Sequence, residues 1–130
     1  VSINLSLPAP RMVSLTLPER PLSSNNVYRN VRGNGRALTP EAKAWKLRNT
    51  WTLRSQLPPA YEVMHGRVLA VYRIERHQDK RRRDIENLAK LLSDTLVAAG
   101  VMADDSQIDG VDIAWSDEVS GTAITLREVG

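Results

Sequence analysis

Met12-Val13-Ser14-Leu15-Thr16-Leu17 alternates apolar and polar positions with the period of a half-buried strand, and Pro18 ends it. From Gly66 to Arg76 a second strand is predicted. Val68, Ala70, Tyr72 and Ile74 alternate with Arg67, Leu69, Val71 and Arg73, and both faces carry apolar groups. Two stretches have helical spacing instead. Thr39-Pro40-Glu41 supplies an N-cap and a proline at the first helical position, so a helix should run to about Gln56, before Pro58-Pro59. Its apolar residues fall into two stripes, Ala42, Trp45 and Leu53 on one side and Ala44, Leu47 and Trp51 on another. This fits a core contact with either a second subunit contact or one exposed Trp. Asp84 to Ala99 is the clearer helix: Ile85, Leu88, Leu92, Leu96 and Ala99 form a single stripe, and Gly100 supplies the stop. A hairpin is predicted from about Ile108 to Trp115 and from Thr122 to Glu128.

The intervening residues 18–39 read as a long loop rich in Pro, Ser, Asn and Gly. Element order is therefore β-α-β-α-β-β, an α+β fold with two main helices packed on a mixed sheet. Residues 1–11 read as an N-terminal extension, because Ser2–Pro8 is a weak copy of Ser14–Pro18, and residues 12–130 as a single domain.

Composition narrows the chemistry. The 130 residues include no Cys, which removes disulfides, thiolate zinc sites and a cysteine nucleophile. No apolar run approaches the ~18 residues of a membrane helix, and the N-terminus lacks a signal-peptide pattern, so a cytoplasmic protein without membrane contact is expected. Net charge is +3, but it is unevenly placed. Residues 1–83 hold 16 Lys/Arg against 5 Asp/Glu, a balance of +11, and residues 84–130 hold 2 against 10, a balance of −8. A polyanion partner for the basic part is one reading; mutual neutralisation across the fold is the other. Arg20, Arg29, Arg32 and Arg36, interleaved with Tyr28 in the loop, suit phosphate pairing and stacking.

The sharpest local pattern is Lys80-Arg81-Arg82-Arg83-Asp84-Ile85-Glu86-Asn87-Leu88-Ala89-Lys90, four cations running into two carboxylates. Inside a helix Asp84 and Glu86 would point about 200° apart; with Asp84 in extended backbone at the helix entrance they can face the same way. Two unit charges ~4 Å apart repel by roughly 4 kcal/mol at an effective dielectric of 20, a cost that a hard divalent ion removes. Asp104 and Asp105 offer further carboxylates, at about the opposite end of the helix. Bringing them back requires help from the topology or from a partner subunit. Each group also has an ordinary reading: Asp84 as a cap, Glu86–Lys90 as an i, i+4 surface pair, and Asp104-Asp105 as a turn.

At these residues the chain resembles the RusA family of Holliday-junction resolvases. The match runs through Ser14–Pro18, Ser24-Asn25-Asn26-Val27-Tyr28-Arg29, Arg81–Lys90, Ala98-Ala99-Gly100-Val101 and Asp104-Asp105-Ser106-Gln107. The resemblance implies a homodimeric nuclease of α+β fold, dependent on Mg²⁺ with Mn²⁺ able to substitute, and without a small-molecule cofactor. Such an enzyme nicks four-way junction DNA symmetrically in recombination and repair. By position it implies Asp84, Glu86 and Asp105 as catalytic metal ligands, Asp104 as an accessory acid and Lys90 as a catalytic lysine. Arg81, Arg82 and Arg83 would hold DNA, and the loop residues Asn25, Asn26, Tyr28, Arg29, Arg32 and Arg36 are expected as a second DNA-binding group from their side-chain chemistry. Glu86 stands where the family usually has Asp, and the approach to the paired asparagines, Pro21-Leu22-Ser23-Ser24, departs from the family's tighter form. A non-cleaving module for branched DNA or RNA on the same fold is the alternative.

Overall fold

The computed structural model describes residues 11–22, 27–31, 35–76, 85–86 and 88–129. Strand β1 (Arg11–Leu17) is followed by a ribbon of β2 (Tyr28–Val31) and β3 (Gly35–Leu38), then helix α1 (Pro40–Ser55) and strand β4 (Val68–Glu75). Helix α2 (Ala89–Ala98), a 3-10 turn (Asp105–Gln107), β5 (Ile108–Ser116) and β6 (Thr122–Glu128) complete the chain. The main sheet has the order β1-β6-β4-β5; β4 is antiparallel to β6 and parallel to β5, so the sheet is mixed.

Two expectations change here. Residues 108–116 and 122–128 are strands, but they do not pair as a hairpin, because β4 lies between them. The reason lies in β4, whose Val68, Ala70, Tyr72 and Ile74 are all buried. A central position covers both backbone edges of that strand, while β5, which carries Asp109 and Asp112, takes the sheet edge. The stretch read as a loop over 18–39 contains the two-stranded β2–β3 ribbon, in which Tyr28 faces Leu38 and Val31 faces Gly35. Buried Val27 and the Thr39 N–H, which donates to the Val27 carbonyl at 2.8 Å, tie this ribbon to the start of α1.

The helices cover one sheet face. Val68, Ala70, Tyr72 and Ile74 on β4 are buried, with Leu15 and Leu17 on β1 and Ile124 and Leu126 on β6. Against them pack Trp45 and Leu53 of α1 and Leu92 and Leu96 of α2. Thr39 caps α1 as the sequence predicts, its hydroxyl accepting from the Ala42 N–H at 3.1 Å. Of the two α1 stripes, Ala42, Trp45 and Leu53 are core, while Leu47 and Trp51 are 64% and 63% exposed. The Trp45 indole N–H donates to the Arg20 carbonyl at 2.9 Å, and Asn49 donates to Glu19, so the segment after β1 is fixed to α1. Tyr72 reaches across the core to Ser93 of α2, hydroxyl to hydroxyl at 2.9 Å, and burial pushes its phenol up to about 12.

Of the predicted 84–99 helix, Ala89–Ala98 is regular. Ile85 and Glu86 are helical, and a bond from the Leu88 N–H to the Ile85 carbonyl winds this entrance more tightly than α2 itself. All five residues of the predicted stripe, Ile85, Leu88, Leu92, Leu96 and Ala99, are buried. Gly100, at φ 79°, terminates the helix in the left-handed conformation.

Candidate active site

The buried stripe of α2 dictates what the opposite side displays. Residues four apart share a helix face, so Glu86, Lys90 and Asp94 follow one another along the side turned from the core. Glu86 and Lys90 are exposed and Asp94 is half-buried. Sequence spacing suggested a Glu86–Lys90 pair; instead the Lys90 ammonium lies 3.7 Å from the Asp94 carboxylate. Among the described residues Glu86 has no ion-pair partner.

Beyond the C-terminal end of α2, the adjacent acids sit on a built turn. Asp104 is the N-cap of the 3-10 turn, its carboxylate accepting from the Ser106 N–H, with Asp105 as the first residue of the turn. The Gln107 side chain holds the turn in place. Its carbonyl oxygen accepts from the Ala103 and Asp104 N–H groups at 2.9 and 2.8 Å. Its amide nitrogen donates to the Met64 and Gly66 carbonyls at 2.9 and 2.8 Å. The turn is thus fastened to the segment leading into β4, next to the parallel bridge between Met64 and Met102. The Ser106 backbone N–H, followed by the hydrogen-bonded Asp105 side chain, holds the Asp104 carboxyl below its ordinary range.

A cleft of about 300 Å³ opens here, lined by Lys46 of α1, Asp94, Val97 and Ala98 of α2, and Asp104 and Asp105. A larger cavity of about 500 Å³ runs beside β1 and Tyr61, but among the described residues Arg11 and Glu62 are its charged lining, so the carboxylate chemistry belongs to the smaller one. Asp94, Lys46 and Gln107 were not singled out from sequence as site residues. For Asp94 the available signal was its i, i+4 spacing from Lys90; for Lys46 and Gln107 the partners are remote in sequence.

The crossover geometry separates the candidates. Strands β4 and β5 are parallel, and α2 connects them, so its start lies toward the end of β4 and its end toward the start of β5. Between the turns of Glu86 and Asp94 the helix rises about 12 Å, too far for Glu86 and Asp105 of one chain to share an ion with ligand distances of about 2–2.6 Å. Accordingly, among the described residues no three His, Asp or Glu side chains converge on one ion position. The donors at both ends are carboxylate oxygens, which suit Mg²⁺ or Mn²⁺ rather than a softer metal. Asp84, Arg81, Arg82, Arg83, Asn25, Asn26 and Arg32 lie outside the described residues. Arg29 is exposed on β2; Tyr28 and Arg36 belong to the ribbon by backbone, and their side chains are not described.

Residues 18–127 match the family model described as endodeoxyribonuclease RusA. The crossover junction endodeoxyribonuclease RusA of Shigella sonnei is 35% identical over 120 residues, covering 90% of this chain and 95% of that protein. Its namesake in Escherichia coli K12 is 34% identical over the same extent, and that of Aquifex aeolicus is 29% identical over 99 residues, 74% of each chain. A family match over most of the chain, with relatives aligned almost end to end, shows that this protein belongs to the RusA family of endodeoxyribonucleases.

Proposed function

We propose that the protein is a divalent-metal-dependent endonuclease that resolves four-way DNA junctions by paired symmetric nicks, as a homodimer acting in recombination and repair. The observation that carries this reading is the β4–α2–β5 crossover, which puts Glu86 and the Asp104–Asp105 turn at opposite ends of one helix. Each copy then holds two half-sites. A second copy related by a two-fold axis would bring its Asp105 end to the first copy's Asp84–Glu86 end, and symmetry would make two such sites. Two sites on one axis fit two cuts in a near-symmetric junction. The curated relatives carry crossover-junction cleavage in their names, which supports the same substrate here.

Asp84, Glu86 and Asp105 would hold the metal, with Asp104 as an accessory acid. When bound, Mg²⁺ or Mn²⁺ supplies polarisation of a phosphoryl oxygen and acidification of the attacking water. Lys90 stabilises charge developing on the phosphate or the leaving oxygen. Arg81, Arg82 and Arg83, with Arg29, Arg32 and Arg36, bind the backbone phosphates. Asn25, Asn26 and Tyr28 contribute hydrogen bonds and stacking, and affinity falls steeply with salt.

The test incubates the full chain with a synthetic four-way junction in Mg²⁺, Mn²⁺ or EDTA. Metal-dependent, symmetry-related nicks are expected, and Asp84→Asn should abolish cutting while leaving junction binding. Junction binding without cleavage at any metal concentration would reject the nuclease and leave the non-cleaving module. Mixing Glu86→Gln with Asp105→Asn protein tests the shared site. A shared arrangement leaves one intact site per mixed dimer and restores single nicks; an arrangement within one chain restores none.

A further inference from the structure

Lys90 stands between two acids at helical pair spacing, Glu86 four residues before it and Asp94 four residues after. Of these two pairs, a glutamate placed N-terminal to a lysine has the better orientation on a helix. The structure forms the other one, with the ammonium 3.7 Å from Asp94. Two features explain the choice. Glu86 lies before the first regular turn of α2, which begins at Ala89, while Lys90 and Asp94 both lie within it. Asp94 is also the less solvated acid: its side chain is 27% exposed, because it forms a wall of the Asp104–Asp105 cleft, whereas Glu86 is exposed. Low hydration strengthens its pull on a cation.

Local stability does not account for Asp94. An exposed i, i+4 pair contributes only a few tenths of a kcal/mol, and Asp94, at the middle of Ala89–Ala98, gains nothing from the macrodipole, which acts within the terminal turns. It also shares a cleft with two further acids, with Lys46 as the cation lining that cleft. What the arrangement does accomplish is to leave Glu86 without a cation among the described residues.

We propose that Asp94 is a positioning residue that holds the Lys90 ammonium off Glu86, keeping Glu86 available as a metal ligand. This rests on the reading of Glu86 as a ligand given above. Without Asp94, the lysine swings one turn back onto Glu86, and its positive charge competes with the divalent ion for the same carboxylate. Lys90 is then misplaced as well, so the phosphate loses its cation while the metal loses its ligand. Glu86 is susceptible to this capture because its longer side chain reaches one methylene further than an aspartate toward the neighbouring turn.

The test is Mn²⁺ binding to the full-length protein by calorimetry or electron paramagnetic resonance, with no DNA present. Asp94→Ala should weaken Mn²⁺ binding about twofold, the scale of an exposed helix ion pair. Asp94→Glu should restore it. In a Lys90→Ala background, Asp94→Ala should change nothing, because no cation remains to be displaced. A merely structural role for Asp94 would persist in that background, and thermal unfolding of each variant reports whether the fold is intact. Unchanged binding in Asp94→Ala, or an equal loss with and without Lys90, would overturn the proposal while Glu86→Gln still weakens binding. If Glu86→Gln binds Mn²⁺ like the parent, the ligand reading fails and takes this proposal with it.

Discussion

Replacing Gln107 with alanine tests whether one side chain builds the acidic end of the site. Its amide makes four hydrogen bonds, accepting from Ala103 and Asp104 and donating to the Met64 and Gly66 carbonyls. The two donated bonds are partly buried and the two accepted bonds are exposed. A net hydrogen bond contributes about 0.5–1.5 kcal/mol, more where loss strands a group away from water. The accepted pair belongs at the low end of that range and the donated pair nearer its middle, so Gln107→Ala should cost about 2–4 kcal/mol. For a domain of this size that lowers Tm by roughly 6–16 °C. Urea titration with an unchanged m-value and a reduced midpoint is the direct assay. Junction cleavage measured below the transition should fall too, because Asp105 loses the fastening of its turn. Gln107→Glu should rescue neither, since a carboxylate cannot donate to the two carbonyls. A Gln107→Ala protein within ~0.5 kcal/mol of the parent, the range of an ordinary surface change, would refute the reasoning.

Two further outcomes depend on the fold alone. Gly121 has φ 75°, and a Cβ there would stand 2.2 Å from the Leu17 carbonyl oxygen, so Gly121→Ala should cost about 2–4 kcal/mol in urea titration; a cost under ~0.5 kcal/mol would contradict the close approach of β1. Arg48, hydrogen-bonded to Glu19 at 2.8 and 3.0 Å, is the largest cause of that carboxyl's lowered pKa. A depressed carboxylate contributes stability that is present above its unfolded value of 4.5 and lost as pH falls through the folded one. Arg48→Ala should therefore lower the urea midpoint at neutral pH, with the gap to the parent narrowing below pH 4.5; a gap that is constant with pH would show that Arg48 acts through packing instead.

The elements were legible where one physical rule decides them. The Thr39 cap with Pro40, the single buried stripe from Ile85 to Ala99 and the positive-φ Gly100 depend on contacts within one or two turns, so spacing alone reveals them. The two stripes of α1 were also visible, but their assignment needed the sheet, which buries Trp45 and leaves Trp51 exposed. Residues 28–38 escaped because four-residue strands with Arg, Asn and Gly carry too little alternation to register against loop chemistry.

By itself the sequence determined the two helices and the four strands of the main sheet, the acidic and basic residue types, and the motifs that mark the family. Those are properties of neighbouring residues, set by side-chain period and backbone preference. The tertiary structure decided the rest. It inserted β4 between β5 and β6 and so made the β4–α2–β5 connection a parallel crossover that holds Glu86 and Asp105 apart. It gave Lys90 to Asp94 rather than Glu86, and fastened the Asp104–Asp105 turn through Gln107 to Met64 and Gly66. Strand order arises from pairings remote in sequence, Val68 with Ile108 and Glu128 and Arg11 with Glu128, which no local pattern encodes.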